Sequence, residues 1–395
     1  MTPLLTDEID SIRRRYARFA ERFIACRSDL YDLDSFPPDI WRAMAGSDLL
    51  GLSIPGRYGG MDGSALAVAA AGEALARQGG NMGLVLSWLI HQIVARFVIH
   101  DAGNEDQRSR YLPGLAQGEQ TAALAISEPG RGGHPGFLKT RAERRGARYI
   151  LNGEKTYLTN GPMADLYVVL AVTGGSDKRK EFTAFLIPRH NPGLSRTGPL
   201  ALPFLRPAPH GGIILRDSPV PEENILGDVG TAYERLAIPF REYEDVMLMG
   251  PLAGGMERQL MLVTRALCRR SDLSGDTLTA MGELRVLADL LNRVAFETPA
   301  ICEGVGHSEV QSLTLAFGNL AHAFQTTCTR VKKDNSELQD TELSMLTNDL
   351  TSMIALGRKM AAVKQRKLGA VLLSSAVSGN GVPLQDRKDP DGGTR

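Results

Sequence analysis

The feature that most constrains the fold is a strand–loop–strand signal in the middle of the chain, at residues 123–165. A short apolar run at 122–126 is stopped by Ser127-Glu128-Pro129-Gly130, and Pro and Gly at such a point end a strand and begin a loop. Further on, Tyr157-Leu158-Thr159 is typical of a strand. Because Asn152-Gly153 before it is a hairpin-turn signal, we expect two strands of a small β domain, each ending in polar groups near a loop.

Helical patterns flank this β region on both sides. Residues 64–78 are rich in Ala, and residues 81–100 are apolar on more than one face, which indicates a buried central helix. Four long helical segments follow, at about 231–269, 276–301, 306–334 and 339–377, and they are typical of a four-helix bundle. The sequence thus predicts an α+β protein with an N-terminal helical domain (1–120), a central β-barrel domain (121–229), a C-terminal helical bundle (230–378) and a flexible tail (379–395).

Composition limits the classes of function. Lys plus Arg and Asp plus Glu both number 45, so we expect no broad basic surface and no nucleic-acid binding. The four cysteines lie far apart and the seven histidines lack ligand spacing, which favours free thiols and no metal site. No signal peptide is recognisable, and the longest apolar stretch contains Ser, His, Gln and Arg. We therefore expect a cytoplasmic protein without a membrane span.

The polar strand ends suggest a ligand of a particular kind. Hydroxyls, an aromatic ring and backbone N–H groups at strand ends suit a planar cofactor that forms hydrogen bonds, such as a flavin. On the residues alone, two ordinary strands with polar ends remain an open alternative.

Two phrases of this region carry a resemblance to a known family. A-L-A-I-S-E-P-G-R-G-G-H at 123–134 and L-N-G-E-K-T-Y-L-T-N at 151–160 resemble the middle domain of the acyl-CoA dehydrogenase family. The resemblance implies that FAD is the cofactor and that its isoalloxazine ring is contacted by Leu124, Ser127, Tyr157 and Thr159. Gly133 and His134 stand where the family has Ser-Asp, at positions that the resemblance implies are near the substrate.

A third phrase bears on the catalytic base. Oxidation of an acyl thioester to its 2-enoyl form removes a proton from Cα, which requires a carboxylate in a dry pocket. E-D-V-M-L-M-G-P-L-A-G at 244–254 resembles the corresponding phrase of isovaleryl-CoA and long-chain members, which implies that Glu244 is the base and that Tyr243 and Asp245 lie near the substrate. We expect the small residues of this phrase to let the helix approach a flat ligand closely. Without the resemblance, a solvated acidic face is the simpler interpretation.

Two further phrases of the resemblance concern the far end of the cofactor. Arg270 matches an arginine that, in the family, reaches the FAD pyrophosphate of a neighbouring subunit. Gly379, Asn380 and Gly381 resemble a G-G-N-G phrase and are likewise predicted to bind the cofactor.

The resemblance implies an FAD-dependent α,β-dehydrogenation of an acyl-CoA thioester. Electrons would pass to an electron-transferring flavoprotein, and the chain would form a homodimer or homotetramer. Two alternatives stay open: a flavin dehydrogenase that acts on an acyl thioester of a carrier protein, and a catalytically degenerate subunit of a hetero-oligomer.

Overall fold

A computed structural model describes residues 6–378 except 131, 177–178, 303–306, 336–337 and 339. The predicted tail and the three predicted cofactor-binding residues Gly379, Asn380 and Gly381 therefore lie outside the described residues.

The N-terminal part is helical, as predicted. Its α-helices are α1 (Asp7–Phe23), α2 (Pro38–Gly46), α3 (Ala65–Gly79), α4 (Met82–Ile93) and α5 (Glu105–Ala116). Several begin at a polar cap, because a side-chain oxygen satisfies a backbone N–H that the first turn leaves unpaired. Ser64 accepts from Ala67 N, Asn81 accepts from Leu84 N, and Asn104 forms a reciprocal capping box with Gln107. These caps fix where α3, α4 and α5 start.

The central helix α4 continues into a π-helical segment, Val94–His100. The combined stretch Met82–His100 is long and apolar enough to cross a membrane by length and composition, but 94% of its apolar 18-residue window is buried inside the protein. It is therefore packed as a core helix, against α3 and against the helices that follow the sheet. π-Helical turns inside α-helices often accompany functional sites.

The middle of the chain forms one mixed eight-stranded sheet. Its strands are β1 (Ala122–Ala125), β2 (Arg141–Arg145), β3 (Arg148–Thr159), β4 (Leu166–Ser176), β5 (Arg179–Pro188), β6 (Leu194–Arg196), β7 (His210–Pro221) and β8 (Ile225–Leu226). The order is β6-β7-β3-β2-β4-β5-β8, and β1 pairs in parallel with β4. One face encloses a separate core that includes Tyr149, Tyr167 and Phe185, whereas the other face packs on the helices.

The predicted hairpin turn at Asn152-Gly153 is wrong, because β3 runs straight through it. The pair forms a bulge opposite β7, where the register shifts between Leu151 and Gly153. Asn152 exchanges hydrogen bonds with Asp217, and a Cβ on Gly153 would lie 2.4 Å from Thr140 Oγ1. Asn-Gly here serves close strand packing, and the turn between β2 and β3 lies instead at Gly146, whose φ is +66°.

The C-terminal helices form the expected bundle with one difference. The helices are α6 (Ile238–Met247), α7 (Met249–Leu267), α8 (Gly275–Cys302), α9 (His307–Asp334) and α10 (Thr341–Ser378), and α6 follows a π-helical segment, Tyr233–Ala237. The first predicted helix, 231–269, is therefore interrupted. Pro251 has no N–H to donate to the carbonyl of Met247, so the helix breaks between α6 and α7.

The small residues of α7 contact a helix rather than a flat ligand, which corrects the expectation from sequence. A Cβ on Gly250 would lie 2.1 Å from Ala69 O, and one on Gly254 would lie 2.2 Å from Glu73 O. Likewise, a Cβ on Gly72 would lie 2.7 Å from Pro251 Cγ. The glycines thus allow α7 to cross α3 at close range, which fixes α6 beside α4.

Candidate active site

A buried ion pair joins the loop after β1 to β3. Lys155 Nζ lies 3.0 Å from Glu128 Oε1 and donates a 2.9 Å hydrogen bond to Ile126 O. Glu128 also accepts from the N–H groups of Lys139 and Thr140 and from the Thr140 hydroxyl. The loop after β1 is therefore held on β3 at both of its ends.

Electrostatics keep this pair ionised. Burial alone would raise the pKa of Glu128, but Lys155 and the hydrogen bonds from Thr140 and Lys139 outweigh it and hold the pKa below its usual range. Burial lowers the pKa of Lys155 to about 8, against the opposing effect of Glu128. Sequence reasoning did not assign a role to either residue, although both stand inside the two recognised phrases.

Tyr157 is presented to solvent by a bulge in β3. Between Lys155 and Leu158 the register with β7 shifts by one residue, and Tyr157 takes a φ of +58°. A tyrosine in the left-handed region is strained, and such strain persists where the surrounding structure imposes it, commonly at functional sites. The side chain is 60% exposed, while Ser127 O accepts a 2.9 Å hydrogen bond from the neighbouring Thr156 N. An aromatic ring thus stands free beside the end of β1.

The next residues anchor β3 to its surroundings. Thr159 Oγ1 lies 3.2 Å from His210 Nε2 on β7. Asn160 donates a 2.8 Å hydrogen bond from Nδ2 to Ser87 O on α4, and its Oδ1 accepts from the Ser87 hydroxyl. Both Asn160 and Ser87 are fully buried. These hydrogen bonds attach the sheet to α4 directly after Thr159, the last residue of β3 that is predicted to bind the cofactor.

Successive side chains of β1 point to opposite faces of the sheet. Ala123 and Ala125 belong to the core enclosed by the sheet, whereas Leu124 and Ile126 pack on the helical side. β1 contacts β3, α4 and the π-helical segment Val94–His100. Leu124 therefore lies on the side of the sheet that the helices cover.

Gly133 and His134 lie in the loop between β1 and β2. A Cβ on Gly133 would lie 3.6 Å from Ser127 Oγ, so the glycine sits directly beside the predicted cofactor hydroxyl. His134 accepts from Gly136 N through Nδ1 and packs on Phe137 with ring centroids 4.8 Å apart. Lys180 on β5 donates hydrogen bonds of 2.9 and 2.8 Å to Gly136 O and Leu138 O, which fixes this part of the loop.

Glu244 lies on α6, a helix that packs on α4 and on the same π-helical segment as β1. Its side chain is 24% exposed, and Arg241 Nε lies 3.5 Å from Oε2. Burial raises the pKa of Glu244 to about 7; Arg241 works against this rise and Asp245 adds to it. A carboxylate with a pKa near neutrality can accept a proton and release it again at physiological pH.

The residues on either side of Glu244 have different surroundings. The ring of Tyr243 packs on Phe97 of the π-helical segment, with centroids 4.2 Å apart. Asp245 forms an ion pair with Lys364 of α10. Tyr243 thus faces the core near the candidate base, whereas the charge of Asp245 is balanced by the bundle.

Arg270 is not brought to this site within the chain. The 19 residues of α7 separate it from α6, a distance of about 28 Å along a helix. Its guanidinium bonds to both carboxylate oxygens of Asp272, at 3.0 and 2.8 Å, and to Asn335 Oδ1 at 3.2 Å. The role predicted for Arg270, at the cofactor of another subunit, stays a prediction.

The residues present fit the ring of a flavin. An exposed aromatic side chain stands at a strained bulge of β3, with the Thr159 hydroxyl two residues further on. The backbone of β3 is hydrogen-bonded to Ser127 at the end of β1, and Gly133 lies beside the Ser127 hydroxyl. An aromatic face and short polar groups are what such a ring needs for packing and hydrogen bonding.

The fold belongs to a three-part α+β class, with N-terminal helices, a mixed sheet and a C-terminal helix bundle. The polar strand ends and the largely buried Glu244 carboxylate lie on neighbouring elements of this fold. The family model "Acyl-CoA dehydrogenase, N-terminal domain" matches residues 6–119, and "Acyl-CoA dehydrogenase, middle domain" matches residues 123–218. Together they cover more than half of the chain, and the chain belongs to the acyl-CoA dehydrogenase family.

Individual proteins with sequence or structural similarity to the chain are consistent with this family. The chain is 35% identical to the mitochondrial isovaleryl-CoA dehydrogenase of Solanum tuberosum over 233 residues, which are 58% of this chain and 56% of that protein. The chain thus spans little more than half the length of such curated relatives. A glutaryl-CoA dehydrogenase of Mycobacterium smegmatis in complex with FADH2 superposes with a TM-score of 0.81 at 20% identity, over 93% of this chain and 95% of that one. The prolyl acyl carrier protein oxidase AnaB superposes with a TM-score of 0.80 at 25% identity, over 93% and 99%. The predicted fold class is confirmed.

Proposed function

We propose that the protein is an FAD-dependent dehydrogenase that introduces an α,β double bond into an acyl thioester. The observation that carries this proposal is the position of Glu244, a largely buried carboxylate on α6, beside the same π-helical segment that β1 contacts. The family of the chain and its similarity to a protein solved with FADH2 support the cofactor.

In this proposal each residue has a separate task. Bound FAD supplies a two-electron acceptor for the hydride that leaves Cβ. Glu244 takes the proton from Cα, and its raised pKa means that the carboxylate is poorly solvated and therefore more basic. Tyr157 packs on the cofactor ring, and the hydroxyls of Ser127 and Thr159 hydrogen-bond to it. Leu124 and Tyr243 keep water away from the reacting carbons.

Two kinds of thioester are proposed as the substrate, and they differ in the acyl carrier. Acyl-CoA follows from the family. A thioester on a carrier protein is favoured by the similarity to AnaB. In either case we propose an electron-transferring flavoprotein as the electron acceptor, a homodimer or homotetramer as the assembly and the cytoplasm as the location.

A degenerate subunit of a hetero-oligomer is the remaining proposal. The engagement of Arg270 with Asp272 favours it, because the guanidinium offers fewer donors to a pyrophosphate. The presence of Glu244, Ser127, Tyr157 and Thr159 argues against it.

Anaerobic titration of the FAD-loaded protein with acyl thioesters separates these proposals. The test panel comprises short, branched and long acyl groups, each as the CoA ester and as the pantetheine-linked carrier protein. Loss of the flavin absorbance with CoA esters supports the first proposal, and loss with carrier-bound esters alone supports the second. A protein that takes up FAD but is bleached by neither would contradict both and leave the degenerate subunit.

A further inference from the structure

His210 and Thr159 form a cross-strand pair at the end of β3. They are directly opposite each other in the antiparallel register of β3 and β7. Thr159 Oγ1 lies 3.2 Å from His210 Nε2, and His210 Nδ1 lies 3.0 Å from the backbone oxygen of Ala208. His210 is buried, whereas Thr159 is half-buried.

The two contacts determine which atom carries each proton. The carbonyl oxygen of Ala208 can only accept, so the Nδ1 atom of His210 must carry the hydrogen of that bond. In the neutral imidazole, Nε2 is then an acceptor, and the Thr159 hydroxyl must donate to it. Burial lowers the pKa of His210, which keeps the ring neutral near pH 7. The hydroxyl hydrogen of Thr159 is therefore directed at His210, and its oxygen lone pairs are left for other partners.

We propose that His210 is a positioning residue, which holds the Thr159 hydroxyl as a hydrogen-bond acceptor toward the flavin and thereby favours the reduced cofactor. This inference rests on the flavin binding of the proposed function, but not on the identity of the substrate. It does not follow from the recognised phrases, since His210 lies outside them.

The chemical basis is a change of donor and acceptor roles on reduction. The ring nitrogen that receives the hydride has a lone pair before the transfer and an N–H afterwards. With that nitrogen beside Thr159, a hydroxyl that can only accept would face the lone pair of the oxidised ring unfavourably and would accept from the N–H of the reduced ring. Two electrons and one proton arrive with the hydride, while the Cα proton goes to Glu244, so the hydrogen bond gained at Thr159 accompanies a balanced reaction. Thr159 held in this way raises the reduction potential of the bound flavin.

The test is a double-mutant cycle on the reduction potential of bound FAD, measured by anaerobic dye equilibration without substrate. In His210→Leu the Thr159 hydroxyl is released and can donate to the oxidised ring. The preference for reduced over oxidised FAD should fall by about five- to tenfold, the range expected for one neutral hydrogen bond, and tenfold corresponds to ~30 mV for a two-electron couple. His210→Gln, which keeps an acceptor, should restore most of the potential. In a Thr159→Val background, His210→Leu should have no further effect.

Two results would overturn the inference. One is an unchanged potential in His210→Leu; the other is an equal fall in the Thr159→Val background, which would indicate a general effect of packing. As a measurement that needs no variant, the nitrogen-15 spectrum of the wild-type imidazole should show the proton on Nδ1, and a proton on Nε2 contradicts the inference. Protein that binds no FAD contradicts both this inference and the proposed function. A potential shift without acyl oxidation contradicts the proposed function alone.

Discussion

Lys155 and Glu128 form a buried ion pair, 3.0 Å from Nζ to Oε1, that connects β3 to the loop after β1. The pair holds the loop carrying Gly133 and His134 against the bulge that presents Tyr157. It therefore positions residues that are predicted to contact the cofactor or the substrate.

Replacement of Lys155 by Met should strongly destabilise the protein. The substitution leaves the Glu128 carboxylate buried without its cation, a change that typically costs about 3–5 kcal/mol. Urea unfolding measures the loss in free energy of unfolding. Arg145→Ala is the matched control, because Arg145 pairs with Glu143 at the surface and such a pair contributes about 0–1 kcal/mol. Similar losses in the two variants would show that burial of the Lys155 pair has no special importance.

Tyr157→Ala should weaken FAD binding with little effect on stability. The ring is largely exposed, so its removal leaves no cavity in the core, but it removes an aromatic face from the proposed cofactor site. We expect FAD affinity to fall by about tenfold, which corresponds to ~1.4 kcal/mol, and the unfolding midpoint of the FAD-free protein to stay within experimental error. Tyr157→Phe should retain most of the affinity. Equal FAD affinity in Tyr157→Ala and wild type would place the ring of the cofactor elsewhere.

The rate of flavin reduction by substrate should rise with pH through about 7. The pKa of Glu244 is raised to about 7, and only the carboxylate accepts the Cα proton. Below that pH the rate should therefore fall about tenfold per unit. Arg241 lowers this pKa, so Arg241→Gln should move the midpoint of the profile to higher pH. A profile that is flat from pH 5 to 8, or that moves the other way in Arg241→Gln, would exclude Glu244 as the titrating base.

Ionisation of Asp349 should lower the free energy of unfolding as the pH rises. This buried carboxyl on α10 accepts a 2.7 Å hydrogen bond from Leu205 N through Oδ1, and burial raises its pKa from 3.8 to about 7. The folded state therefore binds a proton that the unfolded state releases between these two values. Its contribution to stability is complete below about pH 4 and is lost as the pH rises through 7, by up to about 1.4 kcal/mol per unit.

Asp349→Asn keeps an acceptor for Leu205 N and removes the titration. Urea unfolding at pH 5 and pH 8 should then differ less in the variant than in the wild type, with a remaining difference in the same direction from Glu244. The exposed Asp106→Asn serves as control and should keep the wild-type pH dependence. An undiminished dependence in Asp349→Asn would mean that this carboxyl is ionised at pH 5.

The periodic parts of the chain predicted the fold well. The long helices and the β region were evident because apolar spacing and turn residues reflect local packing directly. The hairpin turn predicted at Asn152-Gly153 was wrong, because the close approach of Thr140, which is distant in sequence, determines the conformation there. The small residues at 250–254 were likewise assigned the wrong contact, because the crossing of α7 with α3 depends on the tertiary structure.

The candidate site was predicted in part. Ser127, Tyr157 and Glu244 are predicted from their phrases, and the structure adds the strained bulge at Tyr157 and the burial of Glu244. The contacts of His210 could not be predicted, because they depend on the register between β3 and β7, which no local pattern encodes. The pairing of Asp245 with Lys364 was also hidden, since 119 positions separate the two residues.

Proton abstraction by Glu244 is tested by the anaerobic rate of flavin bleaching in Glu244→Gln, measured by stopped flow with an acyl thioester that reduces the wild-type protein. Glu242→Gln, which alters an exposed carboxylate on the same helix, is the matched control. We expect Glu244→Gln to bind FAD normally but to be bleached at least ~10²-fold more slowly, in line with the loss of a general base, while Glu242→Gln behaves like the wild type. Bleaching of Glu244→Gln at the wild-type rate would exclude Glu244 as the base.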